Sequence, residues 1–391
     1  MVPSSLFIGA LVFSLAQAQC PTLPASPALE DISLLPDPFS WYPAQDGRVS
    51  SVDDWACRRE HIATLLQQME LGEKPPTPSS VNATLSGTTL SVTASEAGKS
   101  VTFDVSITYP PTGSTPYPAI IAYGDLSLPI PDGVATITFP NDLIALQTDT
   151  SSRGKGLFYD LYGADHTAGA LIAWAWGVSV LIDSLESTPS AEIDPTHLAI
   201  TGCSRNGKGA LVAGAFEPRI ALTLPQESGT GGSVCWRLAD SEDGGSGSVQ
   251  TASQIVTENA WFSSAFEAYT NNVNELPYDH HMLAGLIAPR ALLSIDNVGY
   301  EWLGPWSSLG CMRAARAVWE SLGVENRMGY SLSTDHNHCT FPEEQGKDLV
   351  VFIQSFLLGK EGLNTTVEKD YPGLAFDSSA WVDWDVPVLS N

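Results

Sequence analysis

Basic residues are scarce in this chain: 18 Lys and Arg stand against 44 Asp and Glu among 391 residues, a formal charge of −26. A field of that sign repels phosphate backbones and anionic lipid, so neither nucleic acid nor a membrane is an expected partner. An anionic polysaccharide is disfavoured as well, unless its acid group arrives neutralised, for instance as an ester. No CxxC or HExxH spacing occurs, and no metal or other cofactor is expected. Internal repeats and long linkers are missing too. One α/β domain is therefore expected to fill 19–391, as a monomer by default. Past the first residues no apolar run approaches the ~20 that cross a bilayer.

What is present starts with an address. Residues 1–18 carry no charged side chain, hold an apolar run from Leu6 to Leu15, and end on Ala16-Gln17-Ala18. Small residues at those last positions are what a signal peptidase requires, so 1–18 reads as a cleaved leader and the rest of the chain as secreted and extracellular. Six cysteines follow: Cys20, Cys57, Cys203, Cys235, Cys311 and Cys339. An even set in an exported chain reads as three disulfides. Asn82-Ala83-Thr84 and Asn364-Thr365-Thr366 are glycosylation acceptors of the Asn-X-Thr type. Eleven Trp and eleven Tyr supply the flat surfaces that sugars and aromatic ligands meet.

Periodicity gives the architecture. Pro21 to Pro43 has no period and reads as an extended wrap. Residues 81–109 alternate apolar with Thr, Val and Ser, which predicts an antiparallel hairpin. Apolar strand-like runs then occur at 119–123, 198–201, 220–224 and 291–295, with helical stretches at 169–185, 207–216, 313–322 and 344–358. Strands alternating with helices predict a mostly parallel sheet covered on both faces.

The most informative stretch is Gly202-Cys203-Ser204-Arg205-Asn206-Gly207-Lys208-Gly209. A strand ends, a polar residue takes the turn, and a small-residue helix follows at once. Such a turn lifts a serine Oγ clear of an α/β-hydrolase sheet and aims the next N–H, here that of Arg205, at a developing oxyanion. The alternative is an ordinary N-cap serine. Asn206 stands where the second glycine of the G-x-S-x-G pattern belongs. Lys208, one helical turn on, shares the face of Ser204 and is either a solvated cation or a donor to a polar substrate.

Chain order in this fold is Ser, acid, His, with His between the last strand and the last helix. Only His336 and His338 lie between 328–333 and 344–358; His280 and His281 precede a helix well short of that strand. Cys203 precedes Ser204 and Cys339 follows His338. If base and nucleophile come within hydrogen-bond reach, their neighbours are close enough for a disulfide, which selects His338. Asp296 and Glu227 both end strands on the ligand side of the sheet, and either can orient the imidazole.

The elbow motif, together with Arg153-Gly154-Lys155-Gly156-Leu157-Phe158-Tyr159-Asp160-Leu161-Tyr162-Gly163 and His338-Cys339-Thr340-Phe341-Pro342, resembles the glucuronoyl esterases of carbohydrate esterase family 15. The likeness runs from about Leu34 to Leu358 and is nearest to the fungal members. It implies a serine esterase that cleaves the ester between 4-O-methyl-glucuronic acid on xylan and lignin alcohols. It implies Ser204 as nucleophile, His338 as base, Glu227 as acid and Arg205 at the oxyanion. It also implies that Lys208, Gln250, Glu258 and Trp302 hold the uronate, and that Cys20 pairs with Cys57, Cys235 with Cys311 and Cys203 with Cys339. Competing readings are another secreted carbohydrate esterase, such as an acetyl-xylan esterase, and a carbohydrate-binding protein without turnover.

Overall fold

The computed structural model describes residues 20–24, 29–42 and 47–390, so the leader read at 1–18 lies outside the described residues. Ten strands form one sheet: β1 (Ser80–Ser86), β2 (Thr89–Glu96), β3 (Lys99–Thr108), β4 (Tyr117–Tyr123), β5 (Ala135–Phe139), β6 (Ile193–Cys203), β7 (Ile220–Gln226), β8 (Ala291–Asn297), β9 (Met328–Ser333) and β10 (Glu368–Lys369). Their order is β1-β2-β3-β5-β4-β6-β7-β8-β9-β10. Pairings from β1 to β5 through β3 are antiparallel, and every pairing from β5 to β10 is parallel. This is the α/β-hydrolase architecture expected from the alternation of strands and helices.

The expected hairpin is a three-stranded meander. In β3, Val101, Phe103, Val105 and Ile107 are buried while Thr102, Asp104 and Ser106 face solvent, the period of two that a half-covered antiparallel strand shows. The second turn, at Ala97-Gly98, places both residues at positive φ, which keeps a two-residue turn in step with the strand twist. By contrast β4, β8 and β9 are buried almost throughout, because helices cover both faces of a parallel sheet. The helix Ala170–Ser187 is apolar all round and nearly wholly buried, as a helix under a sheet must be.

Three differences from the sequence reading stand out. The helix expected from Arg313 starts at Pro305, where a proline after Gly304 opens the first turn. His280 and His281 open the helix His280–Gly285 rather than preceding one. Strand β5 was not foreseen; only Ala135, Ile137 and Phe139 of its five residues are buried, too short an alternation to stand out.

The topology brings the ends of β6, β7 and β9 together along one edge, the edge at which parallel sheets bind ligands. Close approach there depends on glycine. A Cβ on Gly207 would lie 2.6 Å from the carbonyl oxygen of Gln226 and 3.0 Å from that of Gly202. Gly207→Ala is therefore expected to destabilise the fold by about 1–3 kcal/mol, the usual cost of overpacking. A lowered urea midpoint at unchanged m-value tests it, and an unchanged midpoint would show that helix and sheet separate freely there.

Candidate active site

Ser204 sits between β6 and the helix Arg205–Phe216 at φ 60° and ψ −126°. A non-glycine residue held there costs about 1–3 kcal/mol and persists only where its surroundings fix it. Ser204 N donates to Gln226 O at 2.9 Å, and Lys208 N donates to Ser204 O at 3.0 Å. A Cβ on Gly202 would come within 2.5 Å of Asn206 O, which is why the strand enters the turn on glycine. Asn206 replaces the expected second glycine for a positive reason. Its Nδ2 donates to Tyr123 O at the end of β4 at 3.0 Å, and its Oδ1 accepts from Asn141 Nδ2 at 3.0 Å. The free N–H groups of the helix start next to Ser204, with Arg205 first.

The histidine loop meets this turn. Cys203 and Cys339 are bonded, with Cα atoms 5.7 Å apart. His338 Nδ1 lies 2.7 Å from Glu227 Oε2, and Cys339 N donates to the same oxygen at 3.2 Å. Glu227 is 1% exposed, and both it and Cys339 hold positive φ, 45° and 65°. A carboxylate can only accept, so Nδ1 carries the proton and Nε2 presents its lone pair. Nε2 is buried and has no hydrogen-bond partner. Ser204 Oγ is thus not bonded to it, a looseness usual in sites without substrate.

The residues set aside by this geometry have other tasks. Asp296 accepts from the hydroxyls of Ser294, Ser308 and Ser233 at 2.6, 2.9 and 3.1 Å and meets no imidazole. Burial raises its pKa, with the three hydroxyls opposing. His336 contacts Ser333 Oγ at 3.0 Å and Asn297 Nδ2 at 3.2 Å, and its Nδ1 stays 3.8 Å from Glu227. His280 bridges Glu70 and the Gly232 carbonyl, wholly buried. His281 reaches Pro36 O, and burial lowers its pKa to about 4. Both support the core, as their sequence position implied.

Beside the elbow, Gln250 Nε2 donates to Glu258 Oε2 at 2.5 Å, and Gln250 N to Trp302 O at 3.3 Å. Trp302 is 41% exposed, and its ring centre is 4.9 Å from that of His338, edge to face. Three residues chosen by resemblance alone therefore form one wall. Lys208 is buried, donates to Ser228 O at 2.5 Å, and lies 5.3 Å from the centre of the Trp261 ring. Burial pulls its pKa down to about 7, with Glu258 opposing. Sequence reasoning missed Gln147, whose Oε1 accepts from Trp261 Nε1 at 2.9 Å and from Arg205 at 3.4 Å; no motif marks it. It also missed Tyr300, whose Oη accepts from His338 N at 3.0 Å.

The other two disulfides join Cys20 to Cys57 and Cys235 to Cys311. Among the described residues, the one group with metal-ligand spacing is Cys203, His338 and Cys339. Its sulfurs are spent in a cystine and offer no thiolate. Asn82 and Asn364 are both exposed.

Fold and site together define a carboxylic ester hydrolase of the α/β-hydrolase type. The description of fungal glucuronyl esterases matches residues 92–323, and the chain belongs to that family. It is 54% identical to a 4-O-methyl-glucuronoyl methylesterase of Podospora anserina over 95% of this chain and 78% of the relative. It is 50% identical to one from Schizophyllum commune over 96% of each. The glucuronoyl esterase catalytic domain of Hypocrea jecorina superposes with a TM-score of 0.91 at 52% identity, covering 94% of this chain and all of that one. A serine-to-alanine variant from Sporotrichum thermophile, solved with methyl 4-O-methyl-β-D-glucopyranuronate, superposes at 0.89 with 46% identity, covering 93% and 98%.

Lys208 gives this site a signature in stability. A buried lysine with a lowered pKa is neutral in the folded chain and charged in the unfolded one between about 7 and its ordinary value. The unfolded state then binds more protons, so stability rises with pH across that window. Relative to Lys208→Met, the unmodified protein should gain about 1.4 kcal/mol per pH unit from pH 7 to 9. Urea midpoints at both pH values measure it, and parallel pH profiles would contradict a buried titrating amine.

Proposed function

We propose that this chain is an exported esterase that hydrolyses the bond between 4-O-methyl-glucuronic acid of glucuronoxylan and lignin alcohols. One observation carries the chemistry. The 2.7 Å contact of His338 with Glu227 sits on a loop bonded through Cys339 to the residue before Ser204. His338 Nε2 takes the Ser204 proton as Oγ attacks the ester carbonyl carbon. The oxyanion receives the Arg205 N–H, and the nearby guanidinium adds its charge. Collapse breaks the bond to the alcohol oxygen, which leaves with the proton from Nε2. Water then gives its proton to Nε2 as its oxygen attacks the acyl carbon, and Oγ departs by taking that proton back. Glu227 orients the ring and stabilises its cationic form throughout.

The substrate reading draws support from the family and from the uronate ester bound by the Sporotrichum thermophile relative. Lys208, Gln250, Glu258 and Trp302 supply a buried amine, an amide, a carboxylate and an exposed ring for its hydroxyls and methoxy group. Export draws support from three disulfides, which persist in oxidising compartments.

With methyl 4-O-methyl-glucuronate as substrate, Ser204→Ala is expected to lower kcat by at least ~10³-fold and Glu227→Gln by ~10²–10⁴-fold. Persistent turnover by Ser204→Ala would overturn the nucleophile. Acetate release from acetylated xylan, without turnover of the uronate ester, would instead identify an acetyl esterase.

A further inference from the structure

Neither Gln147 nor the segment Arg153-Gly154-Lys155-Gly156 takes part in the proton transfers, yet together they stand behind the Arg205 side chain. We propose that Gln147 is a positioning residue for the reaction. Its neutral amide oxygen holds the Arg205 guanidinium in place for the oxyanion and leaves the charge of that cation unspent. The proposal rests on the esterase reading above and names what fixes an otherwise loose arginine beside the elbow.

The need comes from Arg205 itself. It opens its helix and is exposed, and a long side chain in water is spread over many rotamers. Among the described residues it forms no ion pair, although the chain holds 44 Asp and Glu for 18 Lys and Arg. Its one side-chain hydrogen bond there is to Gln147, whose Oε1 accepts from Nη1 at 3.4 Å. Contacts of this kind are long in a site without substrate and tighten as charge develops. A carboxylate in that place would grip the guanidinium more firmly, but it would cancel the positive charge that an oxyanion requires. An amide oxygen orients the cation without neutralising it.

The amide is itself held in one orientation. Trp261 Nε1 and Arg205 Nη1 can only donate, and both face Oε1, at 2.9 and 3.4 Å. Nε2 donates to Asp142 Oδ1 at 3.1 Å. A turned-over amide would set donor against donor and acceptor against acceptor. Gln147 and Trp261 are both buried, so the pair has little room to move. The backbone around it is pinned as well. Ala145 O accepts from Trp174 Nε1 at 2.9 Å, and Leu146 N donates to Lys155 O at 3.0 Å. From the other side Arg153 Nη1 donates at 2.8 Å to the carbonyl of Phe262, next to Trp261. Arg153 and Lys155 thus grip the chain beside each member of the Gln147–Trp261 pair, which gives that segment a task in the site.

The test is a double-mutant cycle on hydrolysis of methyl 4-O-methyl-glucuronate by the unmodified protein, Gln147→Met, Arg205→Met and the two combined. Gln147→Met keeps the length of the side chain and removes the acceptor. It is expected to lower kcat about tenfold, a part of the ~10²–10³ that an oxyanion donor supplies, with KM changed less than about threefold. In the Arg205→Met background the same change is expected to cost no further kcat, because the two residues act as one unit. A purely structural role would cost the same factor in both backgrounds, so additive losses overturn the assignment. Unchanged kcat in Gln147→Met, or in Arg205→Met, overturns it too. If Gln147→Met does not fold, Gln147→Glu replaces it, since a carboxylate still accepts from Trp261 and Arg205. Its kcat is expected to fall about tenfold through the cancelled charge, again only where Arg205 is present, and equal kcat in Gln147→Glu and the unmodified protein overturns the proposal. Absence of turnover by the unmodified protein would overturn the esterase reading instead.

Discussion

The Cys203–Cys339 bond is the constraint on which the site depends. It crosslinks positions 136 residues apart in sequence, one before the elbow serine and one after the histidine. Ser204, Glu227 and Cys339 all hold positive φ without being glycine, at the ends of different strands or loops. Together they store several kcal/mol of backbone strain. What resists relaxation is a set of ties between neighbours. Glu227 N donates to Ile295 O at 2.7 Å, Ser204 N donates to Gln226 O, and Cys339 N donates to the Glu227 carboxylate. The disulfide closes this ring, so that the elbow, the Glu227 carboxylate and the His338 imidazole are tied to one another. A site that must position a proton acceptor within tenths of an ångström gains from such a closure.

Glu227 serves this ring where Asp296 does not, because the two carboxylates solve different problems. Asp296 ends in three serine hydroxyls and is raised in pKa by burial. It is satisfied without an imidazole and carries no reorganisation toward one. Glu227 leaves β7 in a left-handed turn, and its longer side chain spans to the histidine loop, meeting both the ring and the following backbone N–H. Two charge-assisted bonds to one oxygen fix the carboxylate more firmly than a single bond to histidine would.

Much of this was legible in the chain because it is local. The elbow is spelled by strand residues, a polar turn and small helical residues in succession, and the cysteines beside Ser204 and His338 turn a local motif into a long-range contact. The acid was not legible from physics, since two strand-end carboxylates satisfy the same rule and only side-chain reach in three dimensions separates them. Gln147 and Tyr300 were invisible for a related reason. Each acts through a contact across more than thirty residues of sequence, with no spacing to announce it. The start of the helix at Pro305 was hidden because Ser307, Ser308 and Gly310 weaken the helical signal of its first turns.

Charge explains why an ester rather than an acid suits this molecule. The chain carries −26, and Glu258 lines the wall beside the elbow, so a uronate is attracted only while its carboxyl is masked. Hydrolysis unmasks it, and the product becomes an anion on a chain of net charge −26. The one nearby buried cation is Lys208, and a strongly charged ammonium there would hold the product back. Its pKa near 7 weakens that hold, because burial discourages the proton that would bind the carboxylate. The same amine still donates hydrogen bonds when neutral, so it can orient hydroxyls without trapping the acid. Burial of this lysine thus favours turnover over product retention, which the large negative field alone would not guarantee at contact distance.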